Sequence, residues 1–556
     1  MTQNMQGASR ALSDLPPAKA APATRAVAGS TTRSAGLRRE VVDVVVVGGG
    51  GSGMAAAIAA AEAGAQVIVL EKNHDLGGTT RLSVGSITAT GTRFQKAKGI
   101  ADTPDEHFDD MSLFLPPELE AKENLELRRV LVDHVPETLE WLIGIGLSFY
   151  GPMPEPPHHK PRMHNVLPNS RAYAYYLEKE CRRLGVDIRL NARAQRLVRE
   201  GDTVVGIVAD VAQGPTEFIA KGGVILASGD FSAGEELKKI HVPHAAHVDA
   251  INPASTGDGH VIAEQVGGWI RNAEVMWGPS LRFKSPPVET LLRRLPPYRW
   301  LTKPMQFALM NLPLWMFRPF ITRFMTASLA PEPAMLKAGA ILVNRNGVRF
   351  GDELARPELE VPNQPGREAF LVFDDALARK FSAWPHFVST APGIAYAYLA
   401  DYKRTRPDLY YEAPTLQALA TRMGVPPAVL EAEVAAHNAA LDAAAGDPRP
   451  RVVRGPFYAL GPAQSWIVFT EGGLAVSARH EVITRQGAPI AGLYAVGSAG
   501  QGGAILAGHG HHIGWAMTSG RRAGGFVAAR ARSSAAAVAS AAPDAHAHDK
   551  GHHERG

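Results

Sequence analysis

The order of apolar and polar residues predicts an α/β fold that begins near residue 41. Residues 41–47 are six valines around one aspartate, and such a run is typical of a parallel strand buried on both faces. The run ends in glycines, after which an alanine-rich helix is predicted over 54–63, closed by Gly64. A second strand is predicted over 66–70, so this part of the chain forms a βαβ unit.

Further along the chain the pattern changes and then returns. Apolar runs that predict strands lie at 186–190, 195–198, 204–208 and 223–226. The stretch 277–459 is instead rich in prolines and aromatic residues and includes an amphipathic helix predicted over 415–442. A short apolar strand at 493–496 and a helix near 513–529 then repeat the first pattern. We therefore predict a Rossmann-type α/β domain into which an α+β domain is inserted.

The two ends of the chain lack an apolar periodicity and are predicted to be disordered tails. Residues 1–39 are rich in Ala, Ser, Thr, Pro and Arg without the apolar core of a secretory signal, which leaves a transit segment or a later start at Met5 as alternatives. The predicted boundaries are 1–39 for the first tail, 40–276 and 460–530 for the two parts of the Rossmann-type domain, 277–459 for the inserted cap or substrate domain, and 531–556 for the His-rich tail. Metal capture by the histidines of this second tail is an alternative to plain disorder; they are His546, His548, His552 and His553.

Composition removes several classes of function. The formal charge of +4 over 556 residues gives no indication of a nucleic-acid partner. Cys181 is the only cysteine, which excludes an internal disulfide, an iron–sulfur cluster held by this chain alone and c-type haem. Electrons must therefore be exchanged with a separate donor or acceptor. No apolar stretch reaches the roughly 18 residues of a membrane span, and a cytoplasmic location is expected.

The glycine run after the first strand predicts a dinucleotide site. Gly48, Gly50 and Gly53 match G-x-G-x-x-G between a strand and a helix, and Glu71 ends the next strand. Gly48 permits a tight turn, Gly50 lets the backbone approach a pyrophosphate, and Gly53 lets helix and strand pack closely. The helix amino terminus offers free N–H groups to phosphates, and Glu71 can accept hydrogen bonds from ribose hydroxyls.

Several blocks, in order along the chain, resemble one flavoprotein family. They lie at 44–90, 224–231, 256–259, 341–353, 470–474 and 492–497. On these blocks the chain is identified as a member of the FAD-dependent family of fumarate reductase, succinate dehydrogenase and 3-ketosteroid Δ1-dehydrogenase. The resemblance implies an FAD-binding domain of the GR2 type that carries an inserted cap domain.

The resemblance also implies which residues hold FAD. The helix entered at His512 and Ile513 would direct its N–H groups at flavin N1 and O2, and Ser498 stands where many members have Glu. Some members bind flavin covalently through a histidine in the stretch that matches 79–85; this stretch has none, so non-covalent FAD is expected. The implied cofactor-binding residues are Gly48, Gly50, Gly51, Ser52, Gly53, Glu71, Lys72, Gly78, Thr79, Thr80, Ser83, Gly85, Ala194, Ala227, Ser228, Gly229, Asp258, Gly497, Ser498, His512 and Ile513.

The family moves a hydride between flavin N5 and a substrate carbon while a protein group handles a proton. The chain departs from both well-known branches. Phe469 replaces a histidine of fumarate reductases, residues 508–512 replace their late arginine, and Leu506 replaces a tyrosine of the ketosteroid enzymes. The resemblance implies a small, hydrophobic, carbonyl-activated substrate of ketosteroid type. A reductase of small unsaturated acids and an electron-transfer subunit without its own substrate are the alternatives.

Three residues are predicted to act in catalysis. Arg356 follows Glu353 by three positions, near the place of the family's catalytic arginine or tyrosine, although an ion pair with Glu358 or Glu360 would also explain it. His509 and His511 lie in the loop before the flavin helix, where imidazole groups transfer protons near neutral pH. A structural or cofactor-bonding role is the alternative for both histidines.

The stretch 291–326 alternates bulky apolar residues with cations. This composition suits an amphipathic segment on a membrane interface or a flap over a hydrophobic substrate, and a buried helical lid is the alternative. The apolar members are Trp300, Met305, Phe307, Met310, Trp315, Phe317 and Phe320, and the cations are Arg293, Arg294, Arg299, Lys303, Arg318 and Arg323.

Overall fold

A computed structural model describes most of the chain. It covers residues 37–289, 291–318, 322–323, 326, 330–391, 395–444 and 449–540. The strands are β1 Arg38–Val47, β2 Val67–Leu70, β3 Ser86–Thr88, β4 Ser148–Met153, β5 Met163–Leu167, β6 Asp187–Arg189, β7 Arg193–Glu200, β8 Thr203–Val211, β9 Gly214–Leu226, β10 Ile270–Arg271, β11 Met276–Trp277, β12 Ser280–Phe283, β13 Ile341–Asn344, β14 Ala369–Phe373, β15 Ser389–Ala391, β16 Ala395–Ala397, β17 Tyr410–Ala413, β18 Phe457–Trp466, β19 Phe469–Thr470, β20 Gly473–Leu474, β21 Glu481–Ile483 and β22 Pro489–Ala495.

Helices connect these strands and cover the sheets. They are α1 Gly51–Glu62, α2 Gly78–Leu82, α3 Arg93–Ala97, α4 Pro104–Ser112, α5 Pro117–Glu120, α6 Leu125–Gly144, α7 Arg171–Arg183, α8 Glu235–His241, α9 Asp258–Glu264, α10 Leu291–Arg294, α11 Arg299–Asn311, α12 Ala334–Lys337, α13 Pro357–Glu360, α14 Asp375–Lys380, α15 Leu399–Thr405, α16 Leu416–Met423, α17 Pro427–Ala443 and α18 His511–Ser540. Within the described residues, none of these helices has the length and apolar character that a membrane span requires.

The valine-rich strand β1 lies at the centre of the main sheet. The strand order is β21-β22-β9-β1-β2-β6, with β7 and β8 as an antiparallel addition beside β9. β1 runs parallel to β2 and to β9, and Val44, Val45 and Val46 are fully buried. The predicted α/β fold is confirmed. The strand begins at Arg38 and not at residue 41, because residues 38–42 pair with 216–220 of β9, so the first tail is shorter than predicted.

Helix α18 crosses α1 at close range, and glycines permit the approach. A Cβ on Gly520 would lie 2.3 Å from the Ser52 carbonyl oxygen, and one on Gly524 would lie 2.2 Å from the Ala56 carbonyl oxygen. The helix runs to Ser540, so the prediction of disorder from residue 531 was wrong for the first ten residues of that tail. Residues 531–540 are mainly alanine and serine, and alanine, the strongest helix former, prolongs the helix. The remaining tail, 541–556, lies outside the described residues.

The middle of the chain forms a second, antiparallel sheet in the order β12-β18-β14-β13, with β17 beside β18. Its two faces carry separate apolar cores, one around Phe373 and Leu460 and one around Val372 and Leu430. The single helix predicted over 415–442 is wrong. Gly424 in the left-handed region (φ 72°) ends α16, and the two prolines after Val425 start α17 anew.

Candidate functional site

The glycine turn after β1 forms a cradle open on one side. A Cβ on Gly48 (φ 109°) would lie 2.4 Å from the Ala227 carbonyl oxygen, and one on Gly53 would lie 1.9 Å from the Gly48 carbonyl oxygen. A Cβ on Gly50 would meet no atom within 4 Å. A side chain at position 48 or 53 would collide with neighbouring backbone, so only glycine fits there. Gly50 instead exposes its backbone to the cavity in front of α1. Such a cradle fits a pyrophosphate at a helix amino terminus.

The cavity in front of the cradle brings together residues from separated parts of the chain. Among the predicted cofactor residues it is lined by Gly48, Gly50, Gly51, Ser52, Glu71, Lys72, Gly78, Thr79, Thr80, Ala194, Ala227, Ser228, Gly229, Asp258 and Ser498. The sequence interpretation missed other lining residues, including Asn73, Ala192, Asn252, Ala254, Ser255 and Ala516. Most of these are small residues in loops, which carry no motif of their own.

Glu71 is a buried acid in the wall of the cavity. Its Oε2 accepts a hydrogen bond from the Gly49 backbone N–H at 2.7 Å, and its Oε1 accepts one from the Asn73 backbone N–H at 2.8 Å. The carboxylate is buried, so these bonds hold it in one orientation. Oε1 also accepts from the Asn73 side-chain amide at 2.8 Å, so the acceptor capacity left for a ribose hydroxyl lies mainly on Oε2.

A charged group forms another part of the cavity wall. Lys72 Nζ lies 3.1 Å from Asp258 Oδ2, and Arg193 approaches the other carboxylate oxygen at 3.3 Å. Burial acts to raise the pKa of Asp258, but Lys72 and the hydrogen bond from Thr256 outweigh it and lower that pKa. Asp258 is thus a fixed anion near neutral pH.

Ser83, Gly85 and Gly497 shape the backbone around the cavity without lining it. The Ser83 hydroxyl donates to the Thr80 carbonyl at 2.7 Å and accepts from the Gly85 N–H at 3.1 Å. The Gly497 N–H donates to Ser519 Oγ at 3.0 Å, and a Cβ on Gly497 would lie 2.5 Å from Ser52 Oγ. These contacts hold the 80–85 loop and the end of β22 against the cradle.

The amino end of α18 also reaches the cavity. Ala516 lines the cavity, and His512 lies one helical turn earlier on the same face. Ile513 turns away into the main core, where it is 8% exposed. Neither of the cofactor residues predicted in this helix, His512 and Ile513, therefore lines the cavity, and Ala516 is the residue of the helix that does.

A buried carboxylate that the sequence interpretation missed lies against His512. Glu471 follows β19 and is fully buried; its Oε1 lies 3.2 Å from His512 Nε2. The hydrogen-bond donors to Glu471 are the Trp277 indole N–H, the Gln501 amide and the Leu506 backbone N–H, while His512 Nε2 lies beside the carboxylate without forming a hydrogen bond among the described residues. The Phe469 ring packs on the His512 ring with 4.0 Å between centroids. The result is a histidine–carboxylate pair enclosed by aromatic rings and neutral donors.

His509 and His511 are engaged elsewhere. His509 Nδ1 lies 2.5 Å from Glu155 Oε1, and its side chain is 42% exposed. His511 is fully buried, with Nδ1 2.5 Å from the Ala507 carbonyl oxygen and Nε2 3.0 Å from His107 Nε2. Burial lowers the pKa of His511 to about 4, so its imidazole is neutral near pH 7.

Arg356 lies before α13 and makes the ion pair that the sequence offered as the alternative to catalysis. Its Nε lies 3.0 Å from Glu358 Oε1, and its side chain is 37% exposed. Its charge also acts on His244: burial and then Arg356 lower the pKa of that histidine. The structure thus gives Arg356 a fixed partner, and a catalytic role for it stays a prediction.

Comparison with known proteins agrees with this geometry. The chain matches the FAD binding domain family over residues 43–293 and 307–510. The chain belongs to this family. Among curated relatives, the cytochrome-type fumarate reductase of Shewanella frigidimarina is 26% identical over 485 residues, 83% of this chain and 73% of that protein. The 4-oxocyclohexanecarboxylate 2-dehydrogenase of Sinomonas cyclohexanicum is 27% identical over 431 residues, 68% of this chain and 64% of that protein.

The fold has counterparts among solved structures. The open conformation of a flavocytochrome c3 fumarate reductase superposes with a TM-score of 0.65 at 24% identity, over 88% of this chain and 79% of that one. The predicted family and the predicted FAD cofactor are confirmed. The protein is an FAD-dependent oxidoreductase of the family to which these fumarate reductases and dehydrogenases belong.

Proposed function

We propose that the protein transfers a hydride to or from a CH–CH or C=C bond next to the carbonyl group of a hydrophobic, ketosteroid-like compound. When bound, non-covalent FAD supplies the hydride-transferring group. The cradle at Gly48 and Gly50, together with Glu71, would hold its nucleotide half. The observation that carries the proposal is the pair of Glu471 and His512 at the amino end of α18.

In this proposal His512 handles the substrate proton. Its Nε2 lies 3.2 Å from Glu471 Oε1, and a small rotation of the ring would form the hydrogen bond through which a carboxylate orients a proton-transferring imidazole. Glu471 itself accepts from the Trp277 indole and the Gln501 amide, which keep it from turning away. The His512 side chain is 20% exposed beside the Phe469 ring, and its Nε2 is buried toward Glu471, so the exposed part of the ring would have to meet the substrate.

The surroundings of the pair favour an apolar substrate over a dicarboxylate. The rings of Phe469 and Trp277 pack together beside the His512–Glu471 pair. Leu506 and Ile505 are both buried nearby in the chain, and Ile505 belongs to an apolar cluster. Two carboxylates of a substrate need cationic clamps, whereas the fixed charge beside His512 is the anion Glu471. The similarity to a dehydrogenase of 4-oxocyclohexanecarboxylate, a cyclic ketone with one carboxylate, supports a carbonyl-activated ring over a dicarboxylate.

Anaerobic mixing of the yellow protein with candidate substrates tests this proposal. We expect saturated 3-ketosteroids or cyclohexanone derivatives to bleach the oxidised flavin, or their enone counterparts to reoxidise the reduced flavin. Succinate and fumarate should leave both spectra unchanged. Turnover with the dicarboxylates alone would establish the alternative, a reductase of small unsaturated acids. Bleaching by no small molecule, but only by a partner protein, would establish an electron-transfer subunit.

Electrons must then pass to or from a separate partner. Cys181 is buried, and burial raises the pKa of its thiol to about 12, so it offers no redox group of its own. We propose a separate electron carrier of unassigned identity as the second partner of the reaction, in a cytoplasmic protein that also contacts a membrane.

The membrane contact is proposed for the amphipathic segment, residues 291–326, of which the structure describes 291–318, 322–323 and 326. Trp300 and Phe307 on α11 are 72% and 67% exposed, and Leu291 on α10 is 66% exposed. The inward side of α11 is partly polar: Thr302 Oγ1 lies 3.0 Å from Ser148 Oγ. The helix thus presents large apolar side chains to solvent, which contradicts the alternative of a buried lid.

The charge of the same segment suits an anionic bilayer. No acidic residue occurs in the sequence between Glu289 and Glu332, while six cations do. Burial, and then the positive charges of Arg299 and of Arg93 on α3, lower the pKa of Lys303. Aromatic rings beside cations are the pattern of interfacial helices. Phe320 and the Trp315 side chain lie outside the described residues.

A further inference from the structure

Three buried histidines meet beside the amino end of α18. They are His107 on α4, His158 in the loop between β4 and β5, and His511 at the start of α18. Their ring centroids form a nearly equilateral triangle with sides of 5.2, 5.4 and 5.5 Å. One ring nitrogen of each histidine lies within 4.8 Å of the other two.

The hydrogen bonds of the triangle leave ring nitrogens unused. Because His511 Nδ1 faces the Ala507 carbonyl, it carries the hydrogen, and the lone pair of His511 Nε2 accepts from His107 Nε2 at 3.0 Å, a bond that a metal ion would replace. Buried His107 Nδ1 and His158 Nε2 have no hydrogen-bond partner among the residues that the structure describes. Buried polar atoms without a partner are costly and call for an explanation.

A tetrahedral metal ion accounts for the triangle. Nitrogen ligands of zinc lie about 2.0–2.1 Å from the ion, which places each imidazole centre about 3.2 Å from it and the centres about 5.2 Å from one another. These are the separations observed. We propose that His107, His158 and His511 bind a divalent transition-metal ion of the zinc type, at a site separate from the cofactor cavity.

The residues around the triangle suit this role. A metal-bound imidazole usually donates its other N–H to a carbonyl or carboxylate, as His511 Nδ1 does to Ala507. Asp110 Oδ2 lies 3.8 Å from His158 Nδ1 and would take the same role there. Arg162 donates to His158 Nδ1 at 3.0 Å. When Nδ1 instead carries a hydrogen and donates it to Asp110, Arg162 loses this one bond and keeps its ion pairs with Asp102 and Asp110.

The fourth position of a tetrahedral ion would be left to water. Among the described residues no carboxylate oxygen lies within 4.8 Å of all three ring nitrogens. The ion would join α4 and the β4–β5 loop to the start of α18. Because His512 follows His511 directly, the ion would stabilise the backbone that positions His512, without taking part in hydride transfer.

Metal analysis of the full-length holoenzyme tests the proposal. The four histidines of the second tail should first be changed to Asn, and no histidine tag used, so that the tail cannot bind metal. We expect about one zinc per chain after growth with zinc and dialysis, and a loss of about tenfold or more in His158→Ala. His164→Ala is the matched control, because this buried histidine bonds to Thr92 outside the triangle and should leave the zinc content unchanged.

Cobalt provides a second measurement that does not depend on a variant that folds. Co²⁺ added to the chelator-treated protein should produce tetrahedral d–d bands at wavelengths beyond the flavin absorption, and zinc should displace them. Substoichiometric zinc without cobalt bands would overturn the proposal. So would an unchanged zinc content in His158→Ala. Both readouts are independent of the substrate and of turnover, so they separate this site from the proposed reaction.

Discussion

At the scale of single residues, the proposed reaction depends most on His512, whose surroundings differ from the prediction. His512 was expected to orient flavin through its backbone, but its imidazole lies 3.2 Å from Glu471 and under the Phe469 ring. His509 pairs with Glu155 instead. The two histidines differ by three positions in the chain and therefore make a matched pair for mutagenesis.

His512→Gln should reduce turnover by about 10²–10⁴-fold, because a positioned proton donor contributes about that much. FAD content should stay normal, since the cradle is untouched. Stopped-flow flavin reduction with the substrate found in the panel measures the effect, and His509→Gln is the control. A larger loss in the control than in His512→Gln would assign the proton transfer to His509.

Arg356→Ala should leave turnover and FAD binding nearly unchanged. The side chain is more than a third exposed and pairs with Glu358, and such surface pairs contribute only about 0–1 kcal/mol to stability. Steady-state kinetics and a melting curve check this expectation. A collapse of turnover in a protein that still binds FAD would restore Arg356 as the catalytic group.

The flavin should be released when the protein is denatured. The stretch 79–85 has no histidine. The residues that line the cavity around it are mainly Gly, Ala, Ser and Thr, which are not expected to form a covalent bond to the flavin ring. Acid precipitation should leave a white pellet and a yellow supernatant. A pellet that stays yellow after washing would show a covalent link.

What could be predicted at this scale depended on local motifs. Gly48, Gly50, Gly53 and Glu71 belong to one continuous pattern, and three of the four line the cavity. Glu471 could not be found in this way, because its partners Trp277, Gln501 and Leu506 are far from it in sequence and meet it only after folding. The available signal was its place in the block 470–474, which carries the family resemblance, as a charged residue just before two glycines.

At the scale of secondary structure, the contact between α1 and α18 determines how firmly the flavin helix is held. Gly524 and Gly525 are neighbours in the same helix, yet a Cβ on Gly524 would lie 2.2 Å from the Ala56 carbonyl oxygen, and one on Gly525 would meet no atom within 4 Å. The sequence predicted this helix but not its length, because its alanine-rich end has no stop signal before residue 540.

Gly524→Ala should destabilise the protein by about 1–3 kcal/mol, since the helices must separate to admit the methyl group. Gly525→Ala should instead stabilise it by up to about 1 kcal/mol through helix propensity. Urea unfolding of the two variants measures both changes. Equal effects of the two substitutions would contradict the close α1–α18 contact.

At the scale of the whole molecule, the exposed apolar side chains of the amphipathic segment are the main feature that packing within the described residues does not explain. Trp300 and Phe307 lie on one helix, beside Arg299 and Lys303. A hydrophobic substrate of the proposed kind partitions into bilayers, so contact with a membrane would bring the enzyme to its substrate.

Replacing Trp300 and Phe307 together with Ser should abolish co-flotation with vesicles that contain anionic lipid, and high salt should weaken the binding of the wild type. Trp384→Ser is the control, because this tryptophan is 65% exposed but lies outside the segment. Flotation of the double variant at the wild-type level would reject the membrane contact.

The order of strands in the main sheet has a consequence for biosynthesis. β9 lies between β1, near the start of the chain, and β22, near its end, and the cavity takes Gly48 from one and Ser498 and Ala516 from beyond the other. A nascent chain on the ribosome cannot complete this cavity until nearly all of it has emerged. Loading with FAD is therefore a late event, and truncated translation products are expected to be colourless.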